Sequence, residues 1–264
     1  MSDTRIIAIA NQKGGVGKTT TAINLATALA AIGETVLVMD IDPQGNASTG
    51  LGIDRNRRPL SSYDVIVSGA SVNDAALETE VPNLYVVPST LDLLGIEMEI
   101  APANDRIQRL QKALRKNPMV TEKFSYILID CPPSLNLLTL NAMGAADSVL
   151  VPLQCEFLAL EGLSQLLETV KQVRSSLNPA LEIQGIVLTM YDGRNNLSNQ
   201  VVEDVRSFMG DKVYQTVIPR NVRVSEAPSF GKPALLYDLK CAGSQAYLQL
   251  ASEVIQRERQ LRAA

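Results

Sequence analysis

The chain has 264 residues, 46% of them apolar but 4% aromatic, and a net charge of −4. That is length enough for one large α/β domain with an aliphatic core, and the acidic balance excludes a globally basic nucleic-acid binder while leaving a local basic patch open. The absence of histidine excludes His-based triads and His metal sites, and three widely spaced cysteines (Cys131, Cys155, Cys241) without a C-x-x-C pair fit a reducing cytosol rather than a disulfide framework or zinc site.

The polar start, Met1 to Arg5, does not read as a signal peptide, and no segment reaches the roughly 20 apolar residues that cross a bilayer. Residues 6–10 form a short apolar run that reads as a buried strand. A glycine-rich stretch follows, and then Ile23, Leu25, Ala26, Leu29 and Ala30 recur at helical spacing over 18–31, with Gly33 as the stop. "TVLVMD" (35–40) is a second buried strand, completing strand, loop, helix and strand. Residues 45–60 read as a loop, 61–80 as one or two short helices, 83–89 as a strand, and 91–116 as helical pattern broken near Pro102. Strands are expected at 126–130, 148–153, 183–191 and 213–219, and helices at 135–145, 157–176, 196–209 and 243–261. This alternation predicts one α/β domain over 1–264, a mostly parallel twisted sheet with helices on both faces.

The glycine-rich stretch, "NQKGGVGKTT" (11–20), carries the chemistry. Gly17, Lys18 and Thr19 fit the end of the G-x-x-x-x-G-K-[ST] phosphate loop, although Gln12 stands where the opening glycine belongs. Gly14, Gly15 and Gly17 let backbone N–H groups face a phosphate, and the following helix adds its positive end. Lys18 is expected to reach the β- and γ-phosphates, and the Thr19 hydroxyl to bind Mg²⁺. Asp40 and Asp42, two apart at a strand end, are expected to project from the same side, and Asp130 closes another apolar strand, all beside the crevice where such sheets bind ligands. Asp130 has the character of a carboxylate holding Mg²⁺ through water. Asp42 is suited to orienting an attacking water, because an aspartate with pKa near 4 is a poor base. Slow hydrolysis follows from that.

"KGGVGKTT" resembles the deviant Walker A motif of the ParA/MinD ATPases, a branch of the P-loop NTPases (SIMIBI class). "DIDPQGN", "LIDCPPSL", "VPLQCEFLALEGL", "LTMYDGRNNLS" and "VIPRNVRVSEAPSFGKP" are similar to successive blocks of the chromosomal ParA (Soj) branch, nearly end to end. The resemblance implies ATP and Mg²⁺ as cofactors, and a dimer closed face to face around two ATP molecules. In it Lys13, Gly14, Gly15, Val16, Gly17, Lys18, Thr19 and Thr20 hold nucleotide, and Lys13 contacts the phosphates bound by the other subunit. It implies adenine recognition by Met190, Pro219 and Asn221, the Asn amide both donating and accepting. Lys13, Lys18 and Asp42 are then the catalytic set, and Thr19, Asp42 and Asp130 the metal set.

Three outputs compete within this superfamily: DNA binding as in ParA, membrane binding as in MinD, and electron transfer as in the nitrogenase iron protein. Cys131 and Cys155 lack the ligand context of the last. The final helix carries Tyr247, Leu248, Ala251, Val254 and Ile255 at helical spacing, with Arg257, Arg259 and Arg262 beside them, but its apolar stripe stops early, which suits packing on the domain better than a membrane. Between 212 and 240 stand Lys212, Arg220, Arg223, Lys232 and Lys240 against Glu226 and Asp238. By similarity, Arg194 and Arg223 are the residues expected to contact DNA phosphates. Few aromatics accompany them, so nonspecific, salt-sensitive duplex binding is expected, without base stacking. The whole implies a ParA-type partition ATPase, cytoplasmic and nucleoid-associated, whose hydrolysis a ParB-like centromere-binding protein stimulates. The alternative is a positioning ATPase acting on protein cargo or membrane.

Overall fold

The structure, a computed structural model, describes residues 4–263, with side chains as far as Arg259. Residues 1–3 and the side chain of Arg262, read above, lie outside the described residues. Eight strands form one sheet in the order β3-β4-β2-β5-β1-β6-β7-β8. They are β1 (Arg5–Ile9), β2 (Val36–Asp40), β3 (Leu77–Glu78), β4 (Leu84–Val87), β5 (Tyr126–Asp130), β6 (Ser148–Gln154), β7 (Glu182–Tyr191) and β8 (Val213–Pro219). All neighbours run parallel except β3, a two-residue antiparallel edge strand that hydrophobic patterning is too coarse to reveal.

The chain leaves β1 for one side of the sheet, returns to β5 beside β1, and then builds β6, β7 and β8 on the other side. The order therefore reverses at β1, and a ligand crevice opens at the C-terminal strand ends where it does. The register puts Ile9 and Asp40 both level with Asp130, so the loops leaving β1, β2 and β5 meet at one point.

The inner strands are apolar throughout because helices cover both faces. Alternation along β1 sends Ile7 and Ile9 to one core and Ile6 and Ala8 to the other. The first core lies under α1 (Lys18–Ala31) and the terminal helix Ala242–Ala263. Tyr247, Leu250, Ala251 and Val254 of that terminal helix are buried. Its Glu253 accepts from the backbone N–H groups of Gln215 and Thr216, both at 2.8 Å. The expectation that this helix packs on the domain is met, and among the described residues no helix is long and apolar enough to cross a membrane.

The stretch 45–60 departs from the loop expected of it. It opens with α2 (Asn46–Gly50), and the Arg58 guanidinium gathers the segment by donating to the carbonyls of Ser89 (2.7 Å) and Ile53 (2.9 Å). A five-residue helix fixed by tertiary contacts leaves no periodic signal. A second short helix, Pro118–Lys123, lies outside the expected elements for the same reason.

Candidate nucleotide site

The loop between β1 and α1 is shaped by its neighbours. Asn11 donates to the Pro152 carbonyl (2.8 Å) and accepts from the Lys13 N–H (3.0 Å). The Thr189 hydroxyl donates to the Val16 carbonyl at 2.9 Å. Gly15 and Gly17 take φ of +76° and +88°, the left-handed region that favours glycine. Gly17 is also the N-cap of α1 and offers no side-chain cap, so the first-turn N–H groups remain free to bind an anion.

A cleft of about 540 Å³ opens over the loop. Gly14, Gly15, Gly17, Lys18, Thr19 and Thr20 form its floor, Asp42 one wall, and Pro132, Pro133 and Asn136 another. Val16 is the exception among the loop residues: its side chain is buried beneath. The Lys18 ammonium, nearly buried, donates to the Lys13 carbonyl at 2.9 Å. Burial pushes its pKa down, opposed by Asp130, Cys131 and Asp42. An ammonium kept this dry gains more from a phosphate than one in water does.

The three aspartates separate into different tasks. Asp40 is wholly buried and does not line the cleft. It accepts from the Ser48 N–H (2.8 Å), the Ser48 hydroxyl (2.6 Å) and the Asp42 N–H (3.2 Å), which pins α2 and sets the turn that presents Asp42. Burial raises its pKa to about 6. The expectation that Asp40 and Asp42 project together is therefore corrected: the chain turns after Asp40, and Asp42 alone reaches the cleft. Ser89 holds that turn by donating to the Asp42 carbonyl at 2.6 Å.

Asp130 is fully buried below the cleft; the Thr19 hydroxyl lies beside it, but no hydrogen bond of good geometry reaches either carboxylate oxygen. Burial first, and Asp40 second, push its pKa well above the carboxylate range, with the Thr19 hydroxyl and Lys18 offsetting part. A buried, unpartnered carboxylate beside a threonine hydroxyl suits a hydrated divalent cation. No group of three or more His, Cys, Asp or Glu residues able to hold a metal occurs among the described residues. A cation here would draw its remaining ligands from water and phosphate, as Mg²⁺ does.

The sign of this effect is testable. A carboxylate whose folded pKa is raised makes the fold less stable as pH climbs from its unfolded value, near 4, through its folded one. Asp130→Asn removes that penalty. We expect the nucleotide-free variant to melt about 2–4 °C above wild type at pH 8 for each kcal/mol relieved, with the gap closing toward pH 5. Thermal scans across that range check it. Added Mg²⁺ and ATP should stabilise the variant less than wild type.

Met190, Pro219 and Asn221 do come together, in a narrow pocket of about 80 Å³ that adjoins the loop at Gly17 and Thr20. Met190 adopts φ of +52°, next to a register shift between β7 and β8. A left-handed conformation in a non-glycine residue is strained, and such strain concentrates at binding sites. The Asn221 side-chain oxygen accepts from the Val224 N–H at 3.2 Å, capping the helix Val222–Glu226. The amide nitrogen is the part left to face a base, a narrower role than the donor-and-acceptor one expected.

Lys13 points away from the cleft. Its ammonium pairs with the Glu156 carboxylate, and both side chains remain about one-third exposed, at 39% and 34%. Around it, Phe157 and Leu158 are exposed at 82% and 51%, and across the cleft mouth Leu94 is exposed at 66%.

The basic residues are less free than their letters suggest. Arg194 is 90% exposed but bonds Asp192 through Nε and Nη2, both at 2.9 Å, drawing Asp192 down to about 2. Arg223 pairs with Glu226 (2.9 Å) and Asp238 (3.6 Å). Arg220 lies near Asp192, so Arg194, Arg220 and Arg223 gather beyond the ends of β7 and β8. Lys212 precedes β8 and lies at the other, N-terminal end of that strand, outside that group. Few aromatics accompany these cations, but two of them, Phe230 and Tyr237, stack beside Arg223.

Sequence reasoning missed Asn11, Thr189, Ser48 and Ser89, which shape the loops without touching the cleft chemistry, and Glu156, the partner of Lys13. Asn11 alone left a signal, standing at the strand end just before the glycines.

A glycine-rich loop opening a helix, a buried lysine, and carboxylates on the flanking strands at a switch point define a P-loop nucleoside triphosphatase; the second lysine marks the deviant form of the loop. The model of a family described as an AAA domain matches residues 4–183. The chain is 66% identical to the chromosome partitioning protein ParA of Caulobacter vibrioides, over 98% of this chain and 97% of that one. It is 56% identical to the sporulation initiation inhibitor protein Soj of Bacillus subtilis, over 95% and 98%. Among solved structures, a cobyrinic acid a,c-diamide synthase of Mycobacterium smegmatis, crystallised with ADP and magnesium, superposes with a TM-score of 0.84 at 35% identity, covering 97% of this chain and 96% of that one. The chain belongs to the ParA/Soj family of chromosome-partitioning ATPases.

Proposed function

We propose that the chain is an ATP-driven partition switch: ATP closes a dimer, the dimer binds duplex DNA without reading its sequence, and hydrolysis releases it. Backbone N–H groups of residues 14–20 and the Lys18 ammonium bind the phosphates, and the Met190, Pro219 and Asn221 pocket takes the base. Mg²⁺, held by Thr19 and through water by Asp130, would offset the charge of the terminal phosphates. Asp42 orients the attacking water as an acceptor, and its neighbours hold it in place. Lys13 reaches the nucleotide of the second subunit. The observation that carries this reading is the position of Lys13: outside its own cleft, while Lys18 already serves the phosphates there, on a rim of exposed Phe157, Leu158 and Leu94. An exposed apolar rim around a charged centre is suited to closing on a copy of itself.

On this reading the DNA surface is the cluster of Arg194, Arg220 and Arg223, doubled by dimerisation, which ties DNA affinity to bound ATP. A ParB-like partner would accelerate hydrolysis and so set the nucleoid-bound lifetime. The test is a filter-binding titration of random duplex with ATP present. Arg194→Ala with Arg223→Ala should weaken binding at least tenfold and flatten the log–log salt slope by about 0.9 for each phosphate contact removed. Unchanged affinity would locate the DNA surface elsewhere. Because Glu226 competes with phosphate for Arg223, Glu226→Gln should tighten duplex binding severalfold in the same assay.

A further inference from the structure

We propose that Phe230 is a stacking platform for an unpaired nucleobase, so that the DNA face prefers single-stranded or locally unstacked segments to smooth duplex. This rests on the reading of that face as a DNA surface. Phe230 ends the turn Ala227–Phe230 and is 61% exposed. Its ring stacks on Tyr237, centroids 5.1 Å apart and planes inclined by 22°. The Arg223 guanidinium lies 5.9 Å from the Tyr237 centroid. Tyr237 packs against the core under α1, whereas Phe230 belongs to neither core. The pair is thus an aromatic stack with its base fixed and its outer ring open to solvent.

The platform is held rigidly. Gly231, at φ of +63°, follows Phe230 and lies so close to Gly52 that an added Cβ would meet the Gly52 Cα at 3.1 Å. The Ala234 N–H donates to Asn24 of α1 at 2.8 Å, and the Asn24 amide donates to the Thr20 carbonyl at 2.8 Å, joining the segment to the first turn after the phosphate loop. A ring already immobilised loses little entropy when a ligand stacks on it. Arg223 flanks the stack, Arg220, Lys232 and Lys240 are exposed on the same stretch of chain, and Glu226, Asp238 and, for Lys232, Glu80 at 3.9 Å partly counter them. A flat apolar face edged by cations matches a base and its flanking phosphates. Bases inside a duplex have both faces covered, so only an unpaired or extruded base can use the ring.

The chain contains no tryptophan, so Phe230→Trp introduces a single reporter at the platform. Titrating that variant with single-stranded oligothymidine should quench its emission. Phe230→Ala should weaken oligothymidine binding about 5- to 150-fold, as loss of one stacked base does, and leave random-duplex binding within about twofold. Equal losses on both DNAs, or emission of the Trp variant that ignores oligothymidine, would overturn the proposal. So would a blue shift on phosphatidylglycerol vesicles without quenching by DNA, which would make the patch a lipid contact. Wild-type protein that binds oligothymidine through Phe230 but no duplex would instead refute the duplex reading and leave the platform standing.

Discussion

Replacing Lys18 by alanine should abolish ATP turnover, with phosphate release falling by a hundredfold or more, on the order of 3 kcal/mol of transition-state stabilisation. The size of the effect comes from the environment of the ammonium. It is 6% exposed, and its hydrogen bond goes to a loop carbonyl, so no competing anion must be displaced before a phosphate can bind. In water the same charge would be screened; at this burial it is not. The loss should not extend to nucleotide-free stability. A lysine whose folded pKa lies below its unfolded value makes folding less favourable at all pH values under the folded pKa, and the penalty fades as pH rises through it. Lys18→Ala removes that penalty, so the variant should melt no lower than wild type at pH 7 while failing to gain stability from ATP. Steady-state phosphate release together with thermal scans separates this outcome from simple unfolding, which would lower both.

How much of this was legible beforehand follows from the range of the interactions. Strands such as β1, β2 and β5 are buried on both faces and read as continuous apolar runs, and α1 repeats its apolar residues over nearly four turns. Those signals are local and survive in a single sequence. The loop residues Gly15, Gly17, Lys18 and Thr19 were legible for a different reason: phosphate binding demands particular residue types at fixed spacing. Asp40 shows where such reading stops. Its spacing from Asp42 suggested a shared task, but its partner Ser48 sits on a five-residue helix, and only the fold shows that its carboxylate is occupied by the turn. The ion pairs of Arg194 and Arg223, and the stack of Phe230 on Tyr237, fail to show for the same reason. Each depends on side chains meeting across turns whose geometry is set elsewhere in the domain. Lys13 is intermediate: the family resemblance implies a role at the second subunit's nucleotide, and the fold supplies its present partner, Glu156.

That partner sharpens what Lys13→Gln should do. The ammonium is held by Glu156 in the single chain, with both groups about one-third exposed, so the pair is screened and contributes little to stability. The variant should therefore fold normally and bind ATP as a monomer, since the cleft retains Lys18, Thr19 and the free N–H groups of α1. What it should lose is association. In a closed interface an ammonium about 4 Å from a phosphate, at an effective dielectric near 20, gains on the order of 4 kcal/mol before desolvation. Even half of that, kept net, is about a thirtyfold change in dimer dissociation constant for each contact, and the symmetric dimer makes two. Sedimentation velocity with ATP and Mg²⁺, in the slowly hydrolysing Asp42→Ala background, should show dimers when Lys13 is intact and monomers for Lys13→Gln at the same concentration. Glu156→Gln should act in the opposite direction, freeing the ammonium in the open chain and strengthening the ATP-dependent dimer. Persistence of the dimer in Lys13→Gln would mean that the apolar rim of Phe157, Leu158 and Leu94 closes the subunits without the lysine, and the coupling of closure to the terminal phosphate would need another source.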